Sequence, residues 1–198
     1  MNIEAPHLPK QARSRAKRAA LIAKGVDLLE ARDFDEFSVA EITQALGFST
    51  GSFYSYFADK TAFFVEIQKS VGEAQDAILT RDFDPARITP LPLTERLDAC
   101  TDFTIRYFRK HTGVVRAALR YERRIPEGWA PNRATTSKLI RAASVNLSPR
   151  DSQHLEMSIQ LAFGLLVNAL LHDPGPLRLN DKDLKVNIRT ALEPFLTQ

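Results

Sequence analysis

"SVAEITQALGFSTGSFYSYF", Ser38 to Phe57, decides the fold. Ser38 and Glu41 stand in the S-x-x-E order of a capping box, where each side chain satisfies the other residue's free backbone N–H, so a helix begins at Val39. Ile42 and Leu46 share one face of that helix. Gly47 follows where the chain must turn sharply, and glycine tolerates positive φ without steric cost. Phe48 fills the corner, Ser49 is placed to cap a second helix, and Phe53 and Phe57 face inward from it. Apolar residues at 42, 46, 48 and 53 around one glycine have the spacing of a helix-turn-helix. Ala would be usual at position 43, where the two helices approach; Thr43 is small enough to fit and implies a slightly different crossing.

The second helix turns Thr50, Gly51, Ser52, Tyr54, Ser55 and Tyr56 outward. All are short or flat, several carry hydroxyls, and no acid lies between Ile42 and Ala58. A helix that enters a major groove must come close to base edges and phosphates. Hydroxyls donate to phosphate oxygens, Gly51 lets the backbone approach, and a carboxylate would be repelled. A plain helical corner with solvated Ser and Thr is the competing reading. Upstream, Lys10, Arg13, Arg15, Lys17, Arg18 and Lys24 precede the next acid, Asp27. Such a basic run suits phosphate, although a solvated helix face reads the same way.

The segment Phe37 to Phe64, "FSVAEITQALGFSTGSFYSYFADKTAFF", resembles the DNA-binding domain of the TetR family of bacterial transcriptional regulators. The specific part is the glycine turn, then G-x-x-Y-x-x-F over Gly51, Tyr54 and Phe57, then Lys60. The resemblance spans roughly residues 14 to 65; the rest agrees only in length and helical character. It implies that Thr50, Gly51, Ser52 and Ser55 face base edges. It implies phosphate contacts from Ser38, Tyr54, Tyr56 and Lys60, with Arg13 and Arg15 reaching phosphate or the minor groove. Some relatives read an extra base from an Arg in the second helix; Ala40 stands there, so that contact is not expected. It further implies a homodimer on an inverted-repeat operator and a C-terminal domain that binds a small effector. The effector would move the foot of the helix beginning at Lys60 and so change the half-site separation. A ligand-responsive repressor is the expectation, with a hydrophobic or amphipathic effector.

The whole chain agrees with this frame. It has 198 residues, 44% hydrophobic and 26% charged, with a net charge of only +3. These values fit a globular protein with a sizeable core. A single cysteine, Cys100, rules out an internal disulfide and reads as a small core residue. No signal peptide is evident, and no apolar run approaches the roughly 20 residues of a membrane span. A cytoplasmic protein is expected.

Helical periodicity recurs throughout and strand alternation does not, so the fold class is all-α, with about nine helices. The expected organisation is a disordered tail (1–10), a helix-turn-helix domain (11–60), a connecting helix (61–80), and a ligand-binding and dimerisation domain (81–198). Pro85, Pro90 and Pro92 mark the boundary. In the second half Thr94 caps a helix, "RIPEGWAPN" reads as a loop, and Pro194 should kink or end the last helix. Phe103, Tyr107, His111, Tyr121 and Trp129 are candidate lining for an effector cavity, or plain core. The stretch from Pro149 to Leu171 is apolar nearly all round, which demands burial on every side. It is the candidate dimer helix, through Ser158, Ala162, Leu165, Leu166 and Ala169, completed by Ile188 and Leu192 of the last helix; a central core helix is the alternative.

An enzyme is not expected. His7, His111, His154 and His172 are far apart, and no helical metal-ligand pair, Gly-rich phosphate loop or nucleophile elbow occurs. No catalytic residue, metal or cofactor is assigned. A helical protein-interaction module without DNA binding is the second reading. It accounts for the apolar helices but not for the acid-free face with its tyrosines.

Overall fold

The structure, a computed structural model, describes residues 10–173 and 175–196. The tail expected over 1–10 lies outside these residues except for Lys10, which opens the first helix. Among the described residues there are ten α-helices, one short 3-10 helix and no strand. The head comprises α1 (Lys10–Ala31), the 3-10 helix (Phe34–Glu36), α2 (Val39–Ala45) and α3 (Thr50–Tyr54). Then come α4 (Lys60–Asp82), the four-residue α5 (Pro85–Ile88), α6 (Leu93–Lys110), α7 (Thr112–Tyr121) and α8 (Pro126–Ala143). The chain closes with α9 (Pro149–Leu171) and α10 (Leu184–Leu196). The short α5 takes the number past the expected nine.

One apolar core runs through both halves. Phe53, Phe57 and Phe63 form an aromatic knot beneath the helix-turn-helix, with ring centroids 4.9–5.1 Å apart. Helix α4 packs against α1 at one end and α8 along its length, while α9 packs on α6 and α10. α4 is therefore continuous across the expected 60/61 and 80/81 boundaries. Beyond it, the proline-rich crossover is held by buried Arg96. Its guanidinium donates to the carbonyls of Thr89 and Leu91 on one side and of Ala143 and Val145 on the other, at 2.6–3.0 Å. Carbonyl dipoles at the end of α8 suit a cation there.

Three local expectations need correction. "RIPEGWAPN" is largely helix: α8 starts at Pro126, where a missing N–H costs nothing, and runs through Pro131. Tertiary packing overrides the breakers, since Gly128 seats directly on the Phe64 ring and Trp129 is buried. Helix α6 is capped at Pro92, two residues ahead of the expected Thr94. Helix α10 continues past Pro194 to Leu196, because a proline in the last turn removes only one bond.

Helix α9 also departs from expectation. By length and composition it is the one helix among the described residues apolar enough to cross a membrane. It has no unbroken apolar run of that length, but Leu155, Met157 and Ile159 ahead of the Leu161–Leu171 run raise its mean hydropathy to that level. Its inner row, Leu155, Ile159, Ala162 and Leu166, is packed into the core, as in the core helix of a folded domain.

Candidate nucleic-acid interface and inner cavity

The capping box forms as the sequence requires. The Glu41 N–H donates to Ser38 Oγ at 3.1 Å, and the Ser38 N–H donates to Glu41 Oε2 at 2.7 Å. Gly47 takes φ +66°, the left-handed conformation that closes the turn. The Phe48 N–H returns to the Thr43 carbonyl at 2.9 Å. Thr43 is buried, and its hydroxyl is satisfied within its own helix by the Val39 and Ala40 carbonyls. Position 43 thus accepts a polar residue without leaving an unpaired group. Ser49 caps α3 by accepting from the Ser52 N–H at 3.2 Å.

Helix α3 is short, and Ser55 and Tyr56 lie just past its end. Thr50, Gly51, Tyr54 and Ser55 are exposed, and Ser52 and Tyr56 are half-buried. Tyr54 is 56% exposed, its ring edge-on to Phe53. Ser55 Oγ already donates to the Ser52 carbonyl at 2.7 Å, so it meets a partner as an acceptor. Tyr56 receives a bond from Ser14 Oγ at 3.2 Å, which ties α1 to the end of α3. Exposed Lys17 on α1 sits 5.5 Å above the Phe48 ring at the turn. Arg13 and Arg15 are exposed on the same helix, and Ser38 is exposed at the mouth of α2. The ten expected contact residues therefore divide into seven exposed members and three half-buried ones, Ser52, Tyr56 and Lys60.

Lys60 is the outlier. Its ammonium lies 4.4 Å from the centroids of both Phe34 and Phe37 and donates to the Phe34 carbonyl. Burial pushes its pKa below the ordinary lysine range, partly offset by Asp35 and Glu41 nearby. In this conformation it braces the 3-10 helix; contact with phosphate requires the side chain to swing outward.

The 3-10 helix is also where the head meets the C-terminal half. Asp33 pairs with Arg120, and Asp35 pairs with Arg124 at 2.9 Å and accepts from Tyr121 at 3.1 Å. The Arg124 guanidinium holds the Asp35 carboxyl below its usual range. Beside it, the N-terminus of α7 sits on α1. The Gly113 N–H donates to the Glu30 carboxylate at 2.7 Å, and a Cβ on Gly113 would lie 2.0 Å from the Leu29 carbonyl oxygen. Neither seam carried a pattern that sequence reading could single out.

The five expected cavity residues separate. Phe103 and Tyr107 line a small chamber among α4, α6, α8 and α9, with Gly72, Gln75, Asn132 and Phe163. Its free volume, about 20 Å³, holds one water-sized group. Tyr107 donates to Asn132 Oδ1, and burial pushes the phenol pKa far up. Trp129 is core, its ring 6.0 Å from Phe163. Tyr121 lies outside the chamber, at the Asp35 seam. His111 sits at the α6–α7 junction, 5.7 Å from the Tyr107 ring, and neither ring nitrogen has a hydrogen-bond partner. Burial and Lys110 lower its pKa.

The expected dimer residues divide as well. Ser158, Ala162, Leu166, Ala169 and Ile188 are buried within the chain itself. Leu165 is partly open, and Leu192, though largely covered, joins it in lining an apolar groove with Met157, Leu161, Gly164, Ala191 and Phe195. Periodicity showed that both sides of α9 are apolar but not which side the core takes.

Residues 21–67 match the tetR family of bacterial regulatory proteins. No curated protein sequence matches the chain. A solved TetR-family transcriptional regulator from Mesorhizobium loti is similar at TM-score 0.69 and 16% identity, over 93% of this chain and 96% of that one. A TetR transcriptional regulator from Rhodococcus sp. RHA1 is similar at TM-score 0.57 and 18% identity, over 96% and 99%. At such identities these two structures speak for the shared all-α fold. The family match falls on the capped, glycine-turned helix pair and its acid-free face, and by it residues 21–67 are a tetR-type DNA-binding head.

Proposed function

We propose that the protein is a cytoplasmic repressor that binds an inverted-repeat operator as a homodimer and releases it when a small molecule enters the C-terminal half. The observation that carries this is the open, acid-free face of α3 with basic α1 beside it. Thr50, Gly51, Ser52 and Ser55 would meet base edges. Ser38, Tyr54, Tyr56 and an outward-swung Lys60 would meet phosphates, with Arg13 and Arg15 following the backbone.

Two half-sites roughly 34–36 Å apart need two copies of the head. The groove on α9 and α10, about 690 Å³, supplies the surface: Met157, Leu161 and Phe195 are 40–46% exposed there. Apolar side chains so grouped are costly in water, and Gly164 lets a second α9 approach closely. The chamber beside Tyr107 is the effector site. Helix α4 carries Gln75 at the chamber and Lys60 at the head, so a ligand that shifts α4 tilts the head. Only a ligand preferring the tilted state releases DNA.

Selection of duplexes from a random pool tests the reading. An enriched inverted repeat is expected, bound by a species of twice the chain mass. Leu161→Arg should yield a folded monomer that loses the repeat. Enrichment of a single half-site by a monomer would refute the dimer, and no enrichment at low salt, with and without metabolite extract, would refute operator binding.

A further inference from the structure

Building on the effector site just described, we propose that its ligand is a small carboxylate whose apolar body ends in a hydrogen-bond acceptor, bound carboxylate-outward between α4 and α6. The inner chamber sets the acceptor end. Its threonines are already committed: Thr104 to the Cys100 carbonyl, Thr135 to Asp76 and Thr136 to the Asn132 carbonyl, at 2.8–3.0 Å. Tyr107 is spent on Asn132 Oδ1. What remains is the Gln75 amide, which spans chamber and cleft with no hydrogen bond among the described residues, and, deeper, Asn132 Nδ2, a buried donor with no partner on a side chain only 7% exposed. A donor left unmet in the interior is costly, and a ligand oxygen answers it. The free volume of about 20 Å³ admits a carbonyl or hydroxyl oxygen rather than a whole molecule.

The charge belongs outside. No Lys or Arg lines the chamber, and behind Thr135 the Asp76 carboxylate already takes up the charge of Lys138, so an anion buried there would be uncompensated. Directly outside lies a cleft of about 500 Å³ that shares Gln75, Phe103 and Tyr107 with the chamber. These three residues form the partition between the two. The cleft adds Ile78 as an apolar floor and Arg81, Arg106 and Lys110 at its rim, against one acid, Asp82. Asp82 is shared between Arg81 and Arg106, Arg106 also pairs with Asp102 on its own helix, and Lys110 has no ion pair among the described residues. The rim thus keeps a positive excess that a carboxylate neutralises, while the aromatic pair sandwiches the body.

Calorimetric titration of the full chain with four probes tests this: 4-acetylbenzoate, its methyl ester, 4-isopropylbenzoate and 7-oxooctanoate. The keto acids should bind about tenfold more tightly than the ester or the acid lacking an acceptor. Arg106→Gln with Lys110→Gln should erase the acid–ester difference, and Asn132→Leu, which removes the donor without adding a charge, should erase the advantage of the acetyl group. Equal or tighter binding of the ester, survival of the difference in the double variant, or no binding of either keto acid at about 1 mM overturns the proposal. Fluorescence anisotropy of labelled operator, read in parallel, separates the two claims. Keto-acid binding without operator release sinks the release reading alone, and release by the ester but not the acids sinks the ligand class alone.

Discussion

Replacing Gly113 by alanine presses on the seam between α7 and the head. The new Cβ would lie 2.0 Å from the Leu29 carbonyl oxygen and 2.5 Å from Glu30 Cα, whereas real Cβ contacts do not fall below 3.0 Å. The obstacles are backbone atoms of a packed helix, so no side chain can turn away. α1 and α7 must part by about 1 Å, an overpacking that costs about 1–3 kcal/mol. The same movement stretches the 2.7 Å bond from the Gly113 N–H to Glu30, a hydrogen bond to a charged group worth about 1.5–3 kcal/mol. Partial relaxation gives a net loss of about 2–4 kcal/mol, or roughly 5–15 °C in Tm for a chain of this size. Urea and thermal unfolding by circular dichroism measure it, with Gly51→Ala as control, since a Cβ there meets nothing closer than Ser49 Oγ at 3.9 Å. A Gly113→Ala protein within about 0.5 kcal/mol of the parent would refute the close contact.

Other perturbations separate the head from the rest. Tyr54→Ala should weaken operator binding about tenfold with unchanged Tm, because the ring is largely in solvent; a matching loss of stability would reassign it to the core. A dimer neutralising about 6–10 phosphates should lose roughly 10³–10⁵ in affinity between 50 and 200 mM salt, and a shallow slope would remove most proposed phosphate contacts. Burial depresses the Lys60 pKa in the folded chain, so just below the ordinary value of about 10.4 the unfolded chain binds more protons and stability rises with pH. That alkaline rise should vanish in Lys60→Met; identical urea midpoints across pH 8–10 in both proteins would show the ammonium to be solvated. Gly164→Ala adds a Cβ into open space within α9 and should stabilise the helix by up to about 1 kcal/mol while weakening dimerisation, read by sedimentation against concentration.

The helix-turn-helix was legible because its signals are local. Ser38 and Glu41 sit three residues apart, Gly47 needs its own φ, and Ser49 needs only the N–H of Ser52. The same locality misled at Pro126 and Pro131, where the helix is imposed by Phe64 beneath Gly128, a residue 64 positions away in the chain. Lys60 was read by its place in a motif, but its rotamer depends on Phe34 and Phe37. On α9, composition announced two apolar sides, and only the position of α6 and α10 decided which one is the interior. The chamber was half visible: Phe103 and Tyr107 were named for being aromatic, whereas Asn132 and Gln75, which give it chemistry, look like any polar residue on a helix.

The split circumference of α9 gives two sets of residues separate evolutionary fates. Leu155, Ile159, Ala162 and Leu166 answer to the chain's own core, where a changed methyl group is felt as lost stability. In the homodimer proposed above, Met157, Gln160, Leu161 and Gly164 would answer instead to the second copy across the groove. A duplicated gene could therefore redraw the outer row, and with it the choice of pairing subunit, while each copy continued to fold. Regulators of one architecture sharing a cell could stay unmixed through a few substitutions on a single helical stripe.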